Sequence, residues 1–128
     1  MVIARPHLIN FKGENMYKAL FLEVLNIKVS KVEVSIPKTS EWIYYRVEGD
    51  YYTPKSIHID KFISLCKDYI FTHKGSVVSG KYREDDNDVF YGCQIIENYI
   101  SDYDHFTFKG DNELDAVAKA AIWVSNNK

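Results

Sequence analysis

The stretch that most constrains the fold is the last one, "GDNELDAVAKAAIWVSNN", residues 110–127. Asn112 is a capping residue type, and Asp115 three positions later completes a capping-box pattern. Leu114, Val117, Ala118, Ala121 and Ile122 recur at helical spacing. A stripe so rich in small side chains lets a helix sit close to a sheet, if the preceding chain supplies one. It does: "SVVSGKYR" and "DVFYGCQII" flank the acidic turn "EDDN" and read as a hairpin, with "HFTFK" as a further short strand and "ENYISDYD" as a loop.

Upstream, "GENMYKALFLEVLN" places Met16, Leu20, Phe21, Val24 and Leu25 on one helical face. Leu22 and Ile27 add strand character to 14–27, so helix and strand both stay open there. The first dozen residues show no period and read as an arm. "KVEVSI" alternates Val32, Val34 and Ile36 as a half-buried strand stopped by Pro37. "WIYYRV" alternates again, with Trp42, Tyr44 and Arg46 on one face and Ile43, Tyr45 and Val47 on the other. Thr53 before Pro54 resembles an N-cap with proline at the first helical position. The helix announced there carries Phe62, Leu65, Cys66, Tyr69 and Ile70 and stops near Gly75. The predicted architecture is α+β: an antiparallel sheet of about five strands with helices packed on it, in the order α-β-β-α-β-β-β-α. With 128 residues and no linker or repeat, residues 1–128 read as a single domain.

The second half resembles the small phage proteins known as phage ABA-sandwich proteins. The likeness rests on "YTPKSIHIDKFISLCKDY", the hairpin, and "GDNELDAVAKAAIWV", about 75 residues. It matches Tyr52 and Thr53 at one helix start and Ala116, Ala120 and Ala121 in the closing helix. Leu65 or Cys66 stands where such proteins usually carry a tryptophan. The resemblance implies a phage or prophage origin and a small accessory protein without catalytic residues, of the kind that counters host defences by occupying a protein or a signalling nucleotide.

Composition limits the chemistry. The formal charge is −2 and no Lys/Arg run exceeds two residues, which argues against duplex DNA as a partner. No apolar stretch reaches 18 residues, and the two cysteines, Cys66 and Cys93, sit in apolar runs. A cytoplasmic protein without a membrane segment, disulfide or cofactor is expected. Asp102, Asp104 and His105 match no established metal spacing, and "REDDND" lacks the pattern and glycine of a calcium loop. No nucleophile elbow or glycine-rich phosphate loop occurs, so a non-enzymatic role is expected.

What stands out is aromatic and acidic. Ten tyrosines accompany seven phenylalanines and two tryptophans, and tyrosine gathers at interfaces because its ring is apolar and its hydroxyl polar. Trp42, Tyr44 and Arg46, with Tyr51 and Tyr52 beyond them, form one candidate binding face, for a flat ligand or a partner protein. Strand-spaced aromatics also arise from packing alone. Glu84, Asp85, Asp86 and Asp88 at the hairpin tip, with Asp102 and Asp104, form a second, acidic candidate. Carboxylates of this kind steer association with a cationic partner, although solvated turns carry them too. The expectation is a phage accessory protein that binds and neutralises a host component, a protein or a small nucleotide. The alternative is a cytoplasmic immunity protein that blocks a toxin nuclease. Aromatics on both strand faces also allow a homodimer or higher oligomer.

Overall fold

The computed structural model describes residues 5–34, 41–85, 88–97 and 105–128. They form three helices and two three-stranded antiparallel sheets, in two compact units, Met1–His58 and Ile59–Lys128. The α+β class stands. The single five-stranded sheet does not: six strands are divided three and three, in the order α-β-β-β-α-β-β-β-α.

The first unit opens with α1, Arg5–Leu25, so the unpatterned arm is helical from Arg5 onward. Tyr17, Leu20 and Phe21 bury one face, at the i, i+3, i+4 spacing that puts them on one side of a helix. Asn26 ends the helix in the left-handed region at φ 57°, which asparagine tolerates. Its N–H donates to the Leu22 carbonyl (3.0 Å), and the Ile27 N–H reaches the Phe21 carbonyl (3.0 Å), satisfying helix-end acceptors.

Three strands follow: β1 Val29–Glu33, β2 Trp42–Val47 and β3 Lys55–His58, in spatial order β1-β2-β3. Register fixes the faces. Val32 opposes Tyr45, and Ile43 opposes Ile57, so these share the inner face. A bulge between Val29 and Lys31 lets Val29 and Val32, three positions apart, both bury. Ile43 is fully buried, and the Tyr45 ring meets Phe21 of α1 with centroids 4.7 Å apart. Burying side chains such as Leu20, Phe21 and Ile43 contributes roughly 1.5–3 kcal/mol each.

Two elements differ from what the sequence predicts. The strand read at 31–36 begins at Val29 and ends at Glu33; Val34 is half-buried, and Ile36 lies outside the described residues. Pro54 does not begin a helix: residues 55–58 pair with β2 as β3, and the helix starts at Ile59. The physical reason is a competing use of the preceding turn, where Asp50 and not Thr53 supplies the side-chain acceptor.

The second unit begins with α2, Ile59–His73, which buries Ile59, Phe62, Ile63, Cys66 and Ile70, while Leu65 and Tyr69 are half-buried. The strands β4 Gly75–Asp85, β5 Asp88–Glu97 and β6 His105–Gly110 form an antiparallel meander. The hairpin read here is present, but β4 runs on through Asp85, so Glu84 and Asp85 of the expected "EDDN" turn are strand residues. The Asp88 N–H donates to Asp85 Oδ1 at 2.9 Å, and residues 86–87 lie outside the described residues. Helix α3, Glu113–Asn127, packs on β5, β6 and α2 through Leu114, Ala116, Val117, Ala118, Ala120, Ala121 and Val124. Its expected cap is present: Asn112 Oδ1 accepts from the Asp115 N–H at 2.8 Å. The return bond is displaced by one residue, since Asp115 Oδ2 accepts from the Asp111 N–H at 3.1 Å. Gly110 is required for space. A Cβ there would lie 2.5 Å from the Ala116 nitrogen in the first turn of α3.

Candidate functional site

The outer face of the β1–β2–β3 sheet is built by register. Lys31 lies opposite Arg46, Glu33 opposite Tyr44, Tyr44 opposite Ser56, and Trp42 opposite His58. Because side chains alternate along a strand, these residues all project away from the face that carries Ile43. Trp42 and Tyr44 remain 42% and 47% exposed although both lie in the central strand. Trp42 meets the His58 ring edge-on at 5.1 Å. Lys31 and Glu33 form an exposed ion pair of 3.1 Å.

The turn after β2 extends this face. The Asp50 N–H donates to the Val47 carbonyl at 3.0 Å, closing a turn in which Gly49 takes φ 93°, a value that favours glycine. Asp50 Oδ1 then accepts from the backbone N–H groups of Tyr52 and Thr53, both at 3.1 Å. Those two hydrogen bonds, Tyr52's first, hold the Asp50 carboxyl below its ordinary pKa, since they favour the charged form. The turn fixed in this way sets out Tyr51 and Tyr52 at 71% and 91% exposure. It also aims the Tyr51 carbonyl at Arg46, whose Nη1 donates to it at 2.7 Å.

Between these parts lies a shallow depression of about 200 Å³ lined by Lys31, Glu33, Tyr44, Tyr45, Arg46 and Pro54. It is smaller than the roughly 300 Å³ at which small-molecule pockets begin. Trp42 is not among its lining residues. Tyr44 and Arg46 are therefore brought together with the Tyr51 backbone, Trp42 sits one row along the same face, and the Tyr51 and Tyr52 rings stand out from the turn. Lys31, Pro54 and His58 are contributed by elements whose pairing the sequence did not reveal. The "DYYT" sequence, an aspartate two and three residues before the N–H groups it accepts, was the available signal for the turn.

The acidic candidate fares differently. Asp86, Asp102, Asp104 and the side chain of Glu84 lie outside the described residues. Asp85 is exposed but spends one oxygen on the hairpin turn. The carboxylates that open α3 are structural. Glu113 accepts from the Ser79 hydroxyl at 2.6 Å and pairs with Lys67 at 3.6 Å; Asp115 pairs with Lys119 at 3.1 Å. Cys66 and Cys93 are buried free thiols. Among the described residues no group of three or more His, Cys, Asp or Glu side chains is placed to hold a metal ion. No helix there is long and apolar enough to cross a membrane.

Comparisons of the chain with family models, with curated proteins and with solved structures returned no match.

Proposed function

We propose that this chain is a non-enzymatic binding protein, a phage or prophage accessory factor that neutralises a host protein by occupying it with the outer face of β2 and the turn beyond. The observation that carries this reading is the exposure of Trp42, Tyr44, Tyr51 and Tyr52 on a strand and turn that are themselves tied down. Rigid aromatic side chains supply contact area at low entropic cost, which is why they recur as interface anchors. The shallowness of the depression beside them favours a protein surface over an enclosed nucleotide. The proposed phage origin rests on the resemblance of the second half to the ABA-sandwich proteins alone.

The test is capture from host lysate by the tagged protein, with the Trp42→Ala/Tyr44→Ala double variant in parallel. A host protein retained by the wild type and lost from the variant, with the variant's circular dichroism unchanged, supports occupancy through this face. Equal retention by both would assign the aromatics to packing.

A further inference from the structure

Arg46 is placed unlike the other features of this face. Its Nη1 donates to the Tyr51 carbonyl at 2.7 Å, which orients one edge of the guanidinium towards the turn. Among the described residues no carboxylate pairs with it, whereas Lys28 and Lys31 of the same sheet region pair with Glu48 and Glu33. Its cross-strand neighbour Lys31 is neutralised by Glu33 at 3.1 Å. The depression thus presents a single uncompensated positive charge, flanked by the Tyr44 ring and Pro54.

A guanidinium has five N–H donors in a planar fork that matches a carboxylate, and fixing one edge on a backbone carbonyl preorganises the remaining donors. Tyr44 and Pro54 line the same depression and offer apolar surface beside that contact. From this we infer that Arg46 is a carboxylate socket, and that the partner contributes an acidic segment whose Glu or Asp side chain docks on Arg46 while its apolar neighbours lie across Tyr44 and Trp42. The inference rests on the occupancy reading above and names the chemistry of its partner. Asp50 acts at one remove. It is a positioning residue, because its turn carries the carbonyl that orients Arg46.

The experiment is a titration of the ¹⁵N-labelled full chain, following Arg46 Nε and the Trp42 indole Nε1. The probes are an acetylated, amidated peptide alternating glutamate and tyrosine, its glutamine-for-glutamate counterpart, and AMP. Saturable, concerted shifts of both signals by the acidic peptide alone support the socket. Arg46→Gln should weaken peptide binding by roughly tenfold or more, as expected for loss of a charge-assisted bidentate contact. The Lys28→Gln variant should leave it unchanged. Because Arg46→Gln can loosen the turn, the wild-type Arg46 shift decides independently of any variant. No shift of Arg46 Nε with the peptide, or an equal shift with the glutamine peptide, would overturn the socket. A response to AMP in place of the peptide would overturn it in favour of a nucleotide phosphate. If Trp42→Ala/Tyr44→Ala abolishes binding and Arg46→Gln changes it less than twofold, the socket fails while the aromatic-face reading stands. If neither variant matters, both fail.

Discussion

At the residue scale, two environments make opposite demands on titratable groups. The Asp50 carboxylate accepts two backbone N–H bonds in the open, and its pKa is lowered by them. A group whose folded pKa is depressed stabilises the fold above its unfolded pKa, near 4, and that contribution disappears as pH falls through the folded value. The stability difference between wild type and Asp50→Ala should accordingly be present at pH 6 and shrink below about pH 4, as read from thermal midpoints across that range. The thiols behave in reverse. Burial pushes Cys66 up to about 12 and Cys93 to about 11, with Glu113 adding to the Cys93 shift and Lys67 opposing it. Both are raised above the free-thiol value, so their contribution is complete below about pH 9 and is lost as pH climbs towards the folded values. Urea midpoints should fall between pH 9 and 11, and the fall should diminish in Cys66→Ala/Cys93→Ala. In native protein at pH 8 both thiols should resist alkylation, reacting only on unfolding.

At the element scale, the start of α3 is held from three sides. Asn112 caps it, Ser79 of β4 donates to Glu113, and Lys67 of α2 pairs with the same carboxylate. Ser79→Ala removes a short charge-assisted hydrogen bond and should cost about 1–2 kcal/mol by urea denaturation. Asn112→Ala should cost about 1 kcal/mol. Gly110→Ala is expected to be worse, about 1–3 kcal/mol, because the new methyl meets backbone that has nowhere to move. If Gly110→Ala proves neutral, the close approach of β6 to the first turn of α3 is wrong. The closing helix and the β4–β5 hairpin were legible because a cap, a stripe and an acidic turn are all local signals. The element at 55–58 was not: "KSIH" carries no period of its own, and only pairing of Trp42 with His58 and Ile43 with Ile57 makes it a strand.

For the whole molecule, the decisive contrast is between aromatics that hold the fold and aromatics that do not. Phe21, Phe62 and the Phe21–Tyr45 contact belong to cores, whereas Tyr51 and Tyr52 are mostly solvent-facing. Tyr51→Ser/Tyr52→Ser should change unfolding free energy by no more than about 0.5 kcal/mol, as for surface positions generally. The same variant should reduce capture of the partner. A large loss of stability would instead place those rings in packing. The residues brought to one surface were partly foreseen: Trp42, Tyr44 and Arg46 do share a face. That Asp50 would orient Arg46, and that Lys31 would be cancelled by Glu33, was not visible in the chain.

The sequence by itself determined the α+β class, the two faces of "WIYYRV", the hairpin at the acidic turn and the capped closing helix. Each is written in residues within a few positions of one another, where side-chain period and local hydrogen bonding settle the outcome. Tertiary structure decided the division of the strands into two sheets of three, the extra strand before α2, and which of the described charges pair with one another. Strand pairing and charge compensation depend on residues far apart in the chain: Lys31 comes to face Arg46, and Ser79 reaches Glu113, only after the backbone has closed those loops.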